Sequence, residues 1–245
     1  MPEDQGYDAP TPQPTSTDAD QLLARLEKKP GTQTARGLRE HAHMLGFENE
    51  AAFIQELQGK KVADVGSGYG GLEIDIIARG LPLDVTPISP RAQDKLFLTG
   101  QRNAIMRQLG RLYTSETLDA AIKTYNEQVV HAYAHDLPFP DESFDIMLDI
   151  LAATHYTPKP GDISGASEAE SRAIYQKTFA GMIRPLKRGG KLYIKADCFI
   201  PGLSKGREAE GNNPWELQIM RVSGHRVDEI HRPSDGFFTG VVVTK

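Results

Sequence analysis

The stretch Lys61-Val-Ala-Asp-Val-Gly-Ser-Gly-Tyr-Gly-Gly71 has the residue types and spacing of a ligand cradle. Val62, Ala63 and Val65 form a short apolar run of the kind a buried parallel strand shows. Gly66, Gly68 and Gly70 follow at alternate positions, and Leu72-Glu-Ile-Asp-Ile-Ile77 then takes up helical apolar spacing until Arg79-Gly80. Strand, glycine turn and helix together suit a nucleotide-like ligand. Glycine lets the backbone turn tightly and come close, and a helix start offers N–H groups without partners. The same layout also serves as a plain turn between a core strand and a core helix. Two further residues have chemical potential. Asp149 lies in the apolar run Ile146-Met-Leu-Asp-Ile-Leu151, where an ionisable group costs free energy unless it is paired or stands at the strand end. His155 follows in Ala152-Ala-Thr-His-Tyr156 and has the intrinsic pKa of a base at neutral pH, although a lone histidine also serves simply to pack.

Asp64, two residues before Gly66, completes the pattern D-x-G-x-G-x-G. This resembles the first motif of the class I S-adenosylmethionine (SAM) dependent methyltransferases. The resemblance implies that the loop of Gly66, Ser67, Gly68, Tyr69 and Gly70 wraps the methionine portion of SAM. It implies too that Asp64 helps to hold the amino group, often through water. A second segment, Asp136-Leu-Pro-Phe-Pro-Asp-Glu-Ser-Phe-Asp145, is similar to the connection between the third and fourth strands of small-molecule methyltransferases. Tyr133 stands there in place of an Asp that contacts the adenine amino group in the family, which leaves Ala134 and His135 to reach the adenine edge. Leu83-Asp-Val-Thr-Pro-Ile88 reads as the second strand. Its end carries Ser89 where the family has an acid that grips both ribose hydroxyls, and no acid occurs between Asp84 and Asp94. On the same resemblance, Asp149 and Ile150 close the cofactor mouth from the fourth strand, and His155 is the candidate catalytic residue beside the transferable methyl. The implied activity is methyl transfer from SAM to a small-molecule acceptor, with S-adenosylhomocysteine as product.

Two other functions fit part of the pattern. With Ser89 and Tyr133 replacing polar anchors, a SAM-fold protein without methyl transfer, acting as a sensor or assembly subunit, is one. The other is an NAD-dependent oxidoreductase. Gly66, Gly68 and Gly71 satisfy the dinucleotide pattern G-x-G-x-x-G, and Asp84 lies 18 residues past Gly66. Asp84 precedes the end of its apolar run, however, and so reads as an edge or solvent-facing residue.

The elements that would position these residues can be read in order. Residues 1–18 hold prolines 2, 10, 12 and 14 among polar residues and read as a disordered tail. Residues 19–57 read as helices covering the pocket. Thr34 would cap one with Leu38, His41, Ala42 and Leu45 on a single face and Gly46 at its end. Asn49 would cap another carrying Phe53, Ile54 and Leu57, ended by Gly59. His41 and His43 point to different faces of the first helix, so a shared metal is not expected. Residues 58–245 form the SAM-binding domain, with a helical insertion at about 91–128. Ser89-Pro90 would start its first helix, lined by Leu98, Ile105, Leu109 and Leu112. Ser115 would cap the second, which carries Leu118, Ala121, Ile122 and Tyr125. The insertion reads equally as scaffold, substrate lid or dimer face, so a homodimer stays open. Val129-Val130 would open the third strand.

Thr157–Ala169 reads as a loop, Ser171–Leu186 as a helix, and the following run to Ile194 as a turn and fifth strand. Lys187, Arg188 and Lys191 there read as a solvated turn that suits a helix C-terminus. Asn213-Pro214 opens a helix to about Val222. His225–His231, Pro233–Gly236 and Phe237–Thr244 then read as strand, turn and strand. The expected fold is α/β, a three-layer Rossmann-like methyltransferase fold with a mostly parallel sheet closed by a C-terminal antiparallel hairpin.

Composition bounds the partners. A net charge of −5 argues against bulk attraction to nucleic acid or an anionic membrane. Cys198 is the single cysteine, which leaves no disulfide framework within the chain and suits a reducing compartment. No apolar run reaches membrane-spanning length and no signal pattern opens the chain, so a cytoplasmic protein is expected. No metal-ligand cluster is evident.

Overall fold

The computed structural model describes residues 35–90, 95–153, 166–195, 215–231 and 238–245. The expected tail, Thr34, His155 and the hairpin turn at 232–237 lie outside them. Helices α1 (Leu38–Met44) and α2 (Glu50–Leu57) precede β1 (Lys61–Val65), α3 (Gly71–Ala78) and β2 (Asp84–Ile88). The insertion supplies α4 (Lys95–Leu109) and α5 (Ser115–Gln128). It is followed by β3 (Phe144–Asp149), α6 (Glu168–Ile183), β4 (Leu186–Lys195), α7 (Trp215–Val222), β5 (Arg226–His231) and β6 (Phe238–Thr244).

One sheet of six strands runs in the order β2-β1-β3-β4-β6-β5. The pairs β1–β2, β1–β3 and β3–β4 are parallel, whereas β6 lies antiparallel to both β4 and β5. This is the mostly parallel Rossmann-like sheet closed by an antiparallel hairpin that the sequence implied. Val130 adds a single parallel bridge outside β2, where Val129-Val130 was expected to open a full strand. The bridge does not extend because the chain turns at once, with the Asp136 N–H closing on the Tyr133 carbonyl at 2.9 Å.

Alternation along the strands feeds a core on each face of the sheet. Ala63, Val65, Met147, Leu192 and Ile194 pack with Tyr175, Phe179 and Met182 of α6 and Met220 of α7. Val62, Ile146, Leu148 and Tyr193 pack with Leu38 of α1, Phe53 and Leu57 of α2, and Leu72 and Ile76 of α3. A third core joins Ile74 of α3 to Ile105 and Leu109 of α4 and to Leu118, Ala121 and Tyr125 of α5. Residues Gly71–Ile76 of α3 are therefore buried on every side, including the acids Glu73 and Asp75.

Several boundaries differ from expectation for physical reasons. The cap of α1 is Gly37, whose N–H donates to the Glu40 carboxylate at 3.1 Å, while the Leu38 N–H donates to Asp75 at 2.9 Å. Within α1, His41 is buried with Nδ1 2.9 Å from the Gly37 carbonyl, and His43 is exposed. Asn49 caps α2 as expected, accepting from the Ala52 N–H at 3.0 Å. Helix α4 is described from Lys95, and the expected start at Ser89-Pro90 adjoins residues 91–94, which lie outside the described ones. That helix buries Phe97, Gln101, Ile105 and Leu109, while Leu98 is 39% and Leu112 62% exposed. Phe97 displaces Leu98 from the inner face because its ring packs on Tyr69.

Thr114, one residue before Ser115, caps α5 by accepting from the Thr117 N–H. The fourth expected strand begins at Phe144 and ends at Asp149, because Leu151 turns to a left-handed φ of 55°. Helix α6 starts three residues early through a capping box between Ser167 and Glu170, and Leu186 belongs to β4. The lysines of the following turn are paired, which corrects their reading as simply solvated. Lys187 binds Asp145 at 2.8 Å, and Lys191 meets Glu56 of α2 at 2.7 Å.

Candidate ligand site at the ends of the central strands

Strand β1 is flanked by β2 and β3, so the strand order reverses beside it; open α/β sheets place their ligands at the carboxyl ends of such strands. The glycine loop leaves β1 there. Gly66, Gly68 and Gly70 have φ of 80°, 61° and 74°, the left-handed region that favours glycine. The Gly66 and Ser67 N–H groups both donate to the Ile88 carbonyl, at 2.8 and 3.0 Å, which brings the ends of β1 and β2 together. A Cβ at Gly66 would stand 2.2 Å from the Ala152 Cβ, so the chain leaving β3 crosses directly against the loop. At Gly70 the same atom would lie 2.3 Å from the Tyr125 ring. These glycines thus serve close packing of chain on chain as well as the turn.

The insertion buttresses this loop. Tyr125 of α5 places its hydroxyl 2.9 Å from the Ser67 hydroxyl and donates to the Gly68 carbonyl at 3.3 Å. Gln101 of α4 donates to the Tyr69 carbonyl at 3.1 Å and exchanges amide hydrogen bonds with Asn126 of α5. The Tyr69 ring packs at a tilt on Phe97, with centroids 5.1 Å apart, and its hydroxyl lies against Gly100. Tyr69 therefore contributes backbone to the cradle while its side chain anchors to α4. On the far side, Gly71 lies under the backbone of Ala35 and Arg36, where a Cβ would meet main chain at 2.3 Å.

Three acids converge below the loop. Asp64 and Glu73 are 4% and 3% exposed, and Asp149 is fully buried as the last residue of β3. Burial, opposed in part by hydrogen bonding with Glu73 and reinforced by the charge of Asp149, pushes the Asp64 carboxyl up to about 7. Burial first, and the charge of Asp64 second, push Glu73 well above the usual carboxylate range. Two facing carboxyls bond to each other only while one holds a proton. With both ionised, neither Glu73 oxygen has a hydrogen-bond partner. The Tyr125 hydroxyl is likewise pushed up by its burial and then by Glu73.

Ser89 is buried at the end of β2, and its N–H donates to the Val130 carbonyl at 3.0 Å. Past that bridge the Tyr133 and His135 rings stack 5.6 Å apart, both half-buried. The Ala134 carbonyl and the His135 backbone lie against Gly181 of α6, where a Cβ would meet them at 2.3 and 2.7 Å. Ile150 is buried among the residues of the α1–α3 face. The expected residues Asp64, Gly66, Ser67, Gly68, Gly70, Ser89, Asp149 and Ile150 thus gather at one end of the three central strands. Tyr133, Ala134 and His135 follow the outer bridge beside them. Asp84 stands at the opposite end of β2, paired in register with Lys61 and exposed, so it cannot reach a ligand on the glycine loop.

Sequence reasoning passed over Glu73, Gln101 and Asn126, and it placed Tyr125 on a buried face without seeing its hydroxyl at the loop. The available signal for Glu73 was an acid between Leu72 and Ile74 in the first turn after the glycines. Among the described residues, no group of His, Cys, Asp and Glu is arranged to hold a metal ion, and no helix is long and apolar enough to cross a membrane.

A family model described as a methyltransferase domain matches residues 99–194, from within α4 to near the end of β4. This match, over less than half of the chain, supports a methyltransferase domain in that stretch and S-adenosylmethionine as its cofactor. No curated protein matches the sequence. Similar solved structures include a SAM dependent methyltransferase from Aquifex aeolicus, 16% identical, covering 92% of this chain and 97% of that one with a TM-score of 0.44. Another is a protein from Pyrococcus horikoshii OT3, 15% identical, covering 90% and 98% with a TM-score of 0.49.

Proposed function

We propose that the chain transfers the methyl group of S-adenosylmethionine to a small-molecule acceptor. The observation that carries this reading is the left-handed glycine loop at the strand-order reversal, within a fold whose central stretch matches a methyltransferase domain. Bound there, the cofactor supplies a methyl group activated on a sulfonium sulfur. The protein's part is to hold and orient the two reactants, and placement alone accounts for much of such a rate enhancement. In this reading the loop residues Gly66–Gly70 take the methionine portion and Asp64 the amino group. Ser89 faces the ribose, Tyr133, Ala134 and His135 the adenine, and Asp149 and Ile150 the mouth. His155, outside the described residues, is the candidate base at the acceptor.

The replacement of carboxylates by Ser89 and Tyr133 favours one second reading, a SAM-binding sensor or assembly subunit without turnover. Calorimetric titration with S-adenosylmethionine, S-adenosylhomocysteine and NADH tests both. Binding of the first two and not the third is expected. Methyl release to an acceptor pool, followed by radiolabel, then separates enzyme from sensor. Failure of both SAM and its product to bind overturns the proposal.

A further inference from the structure

We propose that Asp64 and Glu73 act as one proton-sharing carboxyl pair that takes the ammonium group of the bound ligand, releasing a proton as the ammonium arrives. This rests on the cofactor reading above and assigns a role to Glu73 that the glycine-loop motif does not contain. The geometry is specific. Glu73 projects from the first turn of α3, is 3% exposed, and has neither oxygen bonded when both acids are ionised. Asp64 faces it from β1, and the two carboxyls are each other's hydrogen-bonding neighbours. Among the described residues, the other groups bearing on the pair bring no positive charge. They are Asp149 from β3, whose charge acts on Asp64, and the Tyr125 hydroxyl from α5, which already serves Ser67 and Gly68.

A buried pair of like charges is unstable, so without ligand one proton stays between the two oxygens. Burial and the charge of Asp149 keep Asp64 protonated up to about neutral pH, and burial and the charge of Asp64 push Glu73 well above the usual carboxylate range. An ammonium group brings the missing positive charge. The balance is one for one: the pair with its proton plus the ligand ammonium gives two carboxylates around the ammonium and one free proton. Orphaned acceptors gain charged donors, and the proton leaves to buffer.

The test is calorimetry with S-adenosylhomocysteine, whose sulfur is neutral, so that the ammonium is the ligand's only cation. Titrations at pH 5.5 to 7.5 in buffers of different ionisation enthalpy count the protons released. The expected result is release approaching one proton near pH 6, with affinity rising about tenfold per pH unit below neutrality and levelling above it. Methylthioadenosine, which lacks the ammonium, should bind with no proton release. Glu73→Gln should still bind S-adenosylhomocysteine, more weakly, and with less proton release, because one of the two carboxyls that share the proton is gone. Proton-neutral binding by the unaltered protein overturns the proposal while leaving the cofactor reading intact. Equal release with methylthioadenosine, or undiminished release in Glu73→Gln, also overturns it. No binding of S-adenosylhomocysteine at any pH overturns both. The measurement on the unaltered protein decides the matter even if Glu73→Gln does not fold.

Discussion

Replacing Asp75 by alanine should unfasten the N-terminal helices from the sheet domain. Asp75 is 1% exposed and accepts from the Leu38 N–H at 2.9 Å, from Arg79 Nε at 2.9 Å and from the Tyr113 hydroxyl at 2.5 Å. Arg79 in turn binds Glu50 of α2 and the Tyr113 hydroxyl, at 2.7 Å for the latter. One carboxylate therefore ties α1, α2, α3 and the α4–α5 connection. Its removal strands the Leu38 N–H, an orphan donor in the first turn of α1, at about 1–3 kcal/mol. Arg79 keeps Glu50 and is a quarter exposed, so its loss is partial. The sum is about 3–5 kcal/mol, the usual cost of breaking a buried charge network at one member. Urea denaturation measures it: with a slope of about 2.5 kcal/mol per molar, the midpoint should fall by about 1.5 M. Amide exchange in Leu38–Met44 should accelerate more than in β1 or β3. Tyr113→Phe alone should cost about 1 kcal/mol, and its effect should shrink in the Asp75→Ala background, because the hydroxyl has then already lost an acceptor. A loss below about 1 kcal/mol, or strict additivity of the two changes, refutes the hub.

His41 should make the fold acid-sensitive. Burial lowers its folded pKa from 6.5 to about 4, so the unfolded chain binds the extra proton between those values and stability falls as pH drops through that window. The full effect is about 3 kcal/mol. The difference in stability between the unaltered protein and His41→Gln should therefore change between pH 6.5 and 4, and a constant difference would remove His41 as the cause. At the proposed ligand site, Ser89→Asp should tighten S-adenosylmethionine binding by about 1.5–3 kcal/mol, ten- to over a hundredfold, because a carboxylate makes charge-assisted bonds that a serine cannot. Unchanged affinity by titration would mean that another residue holds the ribose.

The parts of the fold set by local chemistry were legible in the sequence. Asn49, Gly59, Arg79-Gly80 and the run from Leu118 to Tyr125 declare starts, stops and faces through capping and periodicity, and the structure follows them. Leu98 and Leu112 misled because helical spacing cannot tell an inner leucine from an exposed one when Phe97 competes for the same face. Lys187 and Lys191 looked like solvent-facing charges because their partners, Asp145 and Glu56, are distant in sequence. The same limit applies at the candidate site. Asp64 stood out by its distance from Gly66, whereas its pairing with Glu73 depends on how α3 lies across β1. Tyr125 looked like a core aromatic, and it is one. Its hydroxyl contact with Ser67 is a tertiary fact that no periodicity encodes.

The buttress beneath the glycine loop bears on how this protein could be re-engineered or could diverge. An insertion of two helices beside a ligand site invites exchange for another, as a means of altering what is accepted. Here the exchange would not be modular. Tyr125, Gln101, Asn126 and Phe97 hold Ser67, Gly68 and Tyr69 from below, so a graft chosen for its outer surface would also loosen the cradle. A transplant that retains those four inner residues, and varies the exposed positions around Leu98 and Leu112, would keep the loop's support while changing the insertion's outer surface. In this chain the part free to drift is the outer skin of the insertion, and its inner seam is inherited with the loop.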